Sequence, residues 1–96
     1  MKIWLDDERT APEGWFRATT IRHVLFKLLA HQAAGWNPID ELSLDHDLGV
    51  GQPNGYDLLY CMARLGLKVP MITVHSQNPQ GKADMEAFIE RMELEG

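Results

Sequence analysis

Cysteine is nearly missing from this sequence: Cys61 stands alone among 96 residues. One thiol excludes an intramolecular disulfide and any Cys-rich zinc site. Its neighbours Tyr60 and Met62 point to a buried, inert side chain. Long hydrophobic runs are missing too. No stretch approaches the roughly 20 apolar residues of a membrane span, and Asp6, Asp7 and Glu8 interrupt the N-terminus before a signal peptide could form. The cytoplasm is the expected compartment, with no membrane partner. Positive charge is scarce as well: 9 Lys and Arg against 14 Asp and Glu give net −5. A nucleic-acid backbone is held by a basic patch that releases counterions, so duplex nucleic acid is not an expected partner. A small phosphorylated ligand stays open, provided that a metal or a local arginine supplies positive charge.

What the chain does have is an ordinary globular composition, 45% hydrophobic and 24% charged. Residues 1–96 read as a single domain near the lower size limit for one unaided core. Residues 2–5 form a short apolar run that stops at Asp6-Asp7, and residues 10–14 are turn material. Residues 15–18 read as a second strand. Thr19 or Thr20 then caps a helix with Ile21, Val24, Leu25, Leu28 and Leu29 at helical spacing, ended by Gly35. Residues 42–44 are the next strand. A glycine-rich loop, 49–55, leads to a helix with Leu58, Leu59, Met62 and Leu65 on one face and Gly66 as its stop. Met71–Val74 is a strand, and Asn78-Pro79 starts a last helix. That helix places Met85, Phe88, Ile89 and Met92 on one face, with acidic residues expected in its first turn. Trp4 and Trp15 are expected in the core. The order ββαβαβα implies a mostly parallel four-stranded sheet with about three helices and right-handed crossovers.

Three of the four strands end in chemistry: Asp6-Asp7, Asp45-His46-Asp47 and His75-Ser76. The carboxyl ends of parallel strands share one edge, where ligands bind. Carboxylates gathered there repel, so either some are protonated or a cation sits among them. In the second case Asp6, Asp7 and Asp45 are the expected metal ligands, and oxygen donors suit Mg²⁺ or Mn²⁺. His46 and His75 would move protons near neutral pH, or ligate a softer metal. Asp47 would orient a histidine, and Ser76 with Asn78 would bond phosphoryl oxygens. Lys82, at the start of the last helix, would supply positive charge. Arg9 has two readings, phosphate binding or a salt bridge to a neighbouring aspartate.

These residues resemble a receiver domain. Asp6-Asp7 is similar to that family's acidic pair, Asp45 to its phospho-accepting aspartate and Ser76 to its Ser/Thr switch position. The resemblance implies a small, truncated, flavodoxin-like three-layer sandwich. It departs in three ways. The loop "ERTAPEG" replaces the first helix, a fifth strand with its lysine has no counterpart, and His46, Asp47 and His75 have no standard receiver role. The full pattern "WLDDERTAPEGW", "LSLDHDLG", "NGYDLL" and "ITVHSQNPQG" more closely resembles the cyclic-phosphate processing receiver domains. That resemblance implies a metal-assisted phosphoesterase acting on a small cyclic phosphate, at an RNA end or in a nucleotide. Two alternatives stay open. One is a signalling module phosphorylated on Asp45. The other is a non-catalytic phage or accessory protein that binds a partner through an exposed sheet edge.

Overall fold

The computed structural model describes residues 1–35 and 38–95 of the chain. Its elements run β1 (Lys2–Leu5), β2 (Trp15–Ala18), α1 (Ile21–Ala34), β3 (Glu41–Leu44), α2 (Gly55–Leu65), β4 (Met71–Val74) and α3 (Pro79–Glu95). The sheet order is β2-β1-β3-β4 and every pairing is parallel. This is the receiver-like α/β arrangement expected from the sequence. Thr20 caps α1 by accepting from the His23 N–H, and Gly35 and Gly66 close α1 and α2 in the left-handed region. Asn54 and Asp57 form a reciprocal capping box at the start of α2, which satisfies two amide groups that would otherwise be orphaned.

Parallel neighbours usually need a crossover of about a dozen residues or more. β1 and β2 are joined by residues 6–14 alone, with no helix. Asp6 makes the tight path workable, because its Oδ1 accepts from the Glu8 and Arg9 amides at 2.9 Å each. The remaining crossovers all step the same way along the sheet, so their right-handedness puts the helices on one face. α1 packs on α2, and α2 on α3. Ile3, Leu5, Ala18, Leu42 and Leu44 point into this face and are fully buried with Val24, Leu58, Met62 and Met85.

Of a sandwich's three layers, the described residues thus form two. Strand alternation turns Lys2, Trp4, Trp15, Ser43 and Thr73 to the other face, which no described helix covers. Trp4 and Trp15 therefore stand outside the core cluster, contrary to expectation. Leu29 and Leu65 also stay exposed, at 46% and 56%, and Cys61 is half-buried rather than buried. The first turn of α3 holds no acidic residue, because Asp84 and Glu86 fall beyond it. Among the described residues no helix is long and apolar enough to cross a membrane.

Candidate functional site

Ladder bonding continues one residue past three strand ends. The Asp6 amide donates to Ala18 O at 3.0 Å, the Asp45 amide to Leu5 O at 3.0 Å, and the His75 amide to Leu44 O at 2.9 Å. Leu5, Leu44 and Val74 lie in one paired row, so Asp6, Asp45 and His75 make the next. Alternation turns that row to the helix-free face. There each of the three offers one ligand atom, and these atoms all lie within 4.8 Å of one another.

His75 leans back across β3 towards β1. Its Nε2 is 3.2 Å from Asp6 Oδ2 and its Nδ1 is 2.8 Å from Ser43 Oγ. The ring stacks on Trp4 with centroids 3.8 Å apart and planes at 8°, and Trp15 meets Trp4 edge-on at 5.8 Å. Trp4 Nε1–H is buried without a partner among the described residues, a cost of about 1–3 kcal/mol. Burial alone would push the Asp6 carboxyl up. The Arg9 and Glu8 amides, with His75, outweigh it and hold Asp6 below its ordinary 3.8. Burial pushes His75 below its ordinary 6.5; Asp6 and Asp45 oppose that, and the Arg9 guanidinium reinforces it.

The alternation that gathers this row sends its neighbours elsewhere. Asp7 is outside the three-residue group and lies against Gly49. The His46 ring packs on Gly81 of α3, where an added Cβ would come 2.5 Å from its Cγ. It borders a groove with Tyr56, Phe88 and Arg91. His46 Nδ1 is 2.8 Å from Asp47 Oδ1, and Asp47 Oδ2 accepts from Asn78 Nδ2 at 3.3 Å. Asn78 also caps α3, its Oδ1 accepting from the Gly81 amide at 3.0 Å, and its own amide donates to Ser76 Oγ at 3.1 Å. The hydrogen bond to His46 holds Asp47 below 3.8 against the opposing effect of burial, and Asn78 adds to the lowering.

The expected site residues thus fall into two sets, Asp6–Asp45–His75 on one face and His46–Asp47–Asn78–Ser76 against α3. Lys82 sits in the first turn of α3, its amide donating to Asn78 O at 2.8 Å. Among the described residues neither Arg9 nor Lys82 forms an ion pair, so the salt-bridge reading of Arg9 is not met. Sequence reasoning missed Ser43. Its signal was a polar residue between two leucines in an apolar strand.

Two carboxylate oxygens and one imidazole nitrogen at this spacing fit a single divalent cation. The donor set is mixed: imidazole suits zinc, copper, iron and nickel, and carboxylates suit magnesium, calcium and manganese. The whole chain up to Arg91 carries one recognisable signature, since residues 1–91 match the cyclic-phosphate processing receiver domain. The chain belongs to that family. No curated protein and no solved structure matches it. As a receiver domain it keeps Asp6 and Asp45 side by side at the carboxyl edge, and it adds His75 to them.

Proposed function

We propose that this receiver domain is a cytoplasmic, metal-assisted phosphoesterase that opens a small cyclic phosphate, in a nucleotide or at an RNA end. The observation that supports it most is the ligand triplet of Asp6, Asp45 and His75 within 4.8 Å at the carboxyl edge. A divalent cation held there would neutralise phosphoryl oxygens and lower the pKa of a bound water. His75 would then serve as a ligand, and His46, which follows Asp45 in the chain but packs against Gly81 of α3, is the imidazole left to move a proton. The carboxylate of Asp47 fixes the proton of that ring on Nδ1, so Nε2 is the atom that accepts a proton. Asn78 is committed to Asp47 and to the α3 amide, and its part is to position the dyad. The Arg9 guanidinium, in no ion pair among the described residues, meets the phosphate, and Ser76 and Lys82 approach it from the start of α3.

The test is turnover of 2′,3′-cyclic nucleotides with Mn²⁺, Co²⁺, Zn²⁺ and Mg²⁺ in separate reactions. His46→Ala should lower the rate about 10²-fold or more, and Asp45→Asn should abolish it, both with the fold intact. Absence of turnover by the wild-type protein with every metal would overturn the reading. Stable labelling of Asp45 by acetyl phosphate, read by intact mass, would replace it with the signalling module.

A further inference from the structure

Among the described residues two polar side chains are buried, Asp6 at 1% exposure and Ser43 at 4%. Both bond the same imidazole. Asp6 Oδ2 lies 3.2 Å from His75 Nε2, and Ser43 Oγ lies 2.8 Å from Nδ1. A carboxylate only accepts hydrogen bonds, so the Asp6 contact needs the ring proton on Nε2. Nδ1 is then the acceptor and the Ser43 hydroxyl donates to it. A cation, in contrast, binds a ring nitrogen through its lone pair. If Nε2 is the ligand atom, the ring proton must sit on Nδ1, and Ser43 must accept. A hydroxyl rotor does both, since it carries one donor and two lone pairs. Alanine or valine at this place in the strand does neither.

We propose that Ser43 is a positioning residue for a first-row transition cation, whose hydroxyl supports both tautomers of His75 and so lets the ring exchange Asp6 for the cation. This rests on reading Asp6, Asp45 and His75 as the cation site. Trp4, stacked 3.8 Å from the ring, limits the alternative of turning the imidazole over. Outer hydrogen bonds of this kind fix ligand orientation, and their loss typically weakens metal binding 10–100-fold. Had Ser43 only to satisfy a buried imidazole, its removal would change stability and leave cation affinity as it was.

The experiment is a Zn²⁺ titration of protein labelled with ¹⁵N-histidine, zinc being diamagnetic, with His75→Gln identifying the His75 resonances. Metal-free protein should show the Nε2–H tautomer at His75, and the zinc-loaded protein the Nδ1–H tautomer. Ser43→Ala should weaken zinc binding 10–100-fold, and Ser43→Thr, which keeps the hydroxyl and suits a strand, should restore most of it. Unchanged zinc affinity in Ser43→Ala, or a wild-type His75 that keeps one tautomer throughout, would overturn the proposal. The wild-type spectra decide this even where Ser43→Ala does not fold. No substrate enters these readouts. Tautomer exchange without any phosphoesterase turnover therefore overturns the proposed function alone, and turnover with an unresponsive His75 overturns this inference alone.

Discussion

Asp6 and His75 tie the site to the stability of the fold. Burial keeps the pKa of His75 below 6.5, so the unfolded chain binds a proton that the folded protein excludes. Its contribution is complete above about pH 6.5 and is lost as pH falls through the folded value. Asp6, held below 3.8, adds stability that disappears only in stronger acid. Urea midpoints should therefore fall between pH 7 and pH 5, and His75→Gln should flatten that fall; an equally steep fall in the variant would contradict the assignment. Two glycines make a second test. A Cβ on Gly55 would strike the Asp45 carbonyl oxygen and press on Met85. Backbone cannot give way cheaply, so Gly55→Ala should lower stability by about 1–3 kcal/mol or more. At Gly81 the obstacle is the His46 ring, and alanine gains about 1 kcal/mol of helix propensity. The atoms met are the ring's own Cγ, Cδ2 and Nδ1, so Gly81→Ala should lower the melting temperature and, on the proposed function, also lower turnover because His46 is displaced. At this scale the sequence was only half legible. Asp6-Asp7 and Asp45-His46-Asp47 read as clusters converging on one pocket, but strand alternation sends adjacent side chains to opposite faces. Register decided which member went where.

Elements were easier to read, since their signals are local. The strand runs, the helix at Thr20, and the glycine stops at 35 and 66 follow from periodicity and capping chemistry. The capping box at Asn54 and Asp57 passed unread within a loop recognised only as glycine-rich. It sets the angle at which α2 leaves the site: Gly55 N–H donates to His46 O at 2.9 Å, one residue after the cap. Asn54→Ala should cost about 0.5–2 kcal/mol, visible as a lower denaturant midpoint. Hydrogen exchange should quicken in the first turn of α2 while α3 keeps its protection. Equal loss of protection in both helices would show that the cap acts on the whole fold rather than on one end.

For the molecule as a whole, parallel order and the convergence of three strand ends were legible from the alternation of strands and helices. The bare face was not. It follows from a nonhelical link at residues 6–14, which leaves the single crossover of opposite sense without a helix, and it takes Trp4 and Trp15 out of the core. That face is also where Asp6, Asp45 and His75 gather, so the surface left uncovered by the topology is the one that holds the candidate cation site. Anomalous diffraction from a crystal soaked in Mn²⁺ tests this most directly. A single peak in bonding contact with an Asp6 oxygen, an Asp45 oxygen and His75 Nε2 is the predicted result. A peak bound instead by Asp7, or none at this edge in a fully soaked crystal, would contradict it.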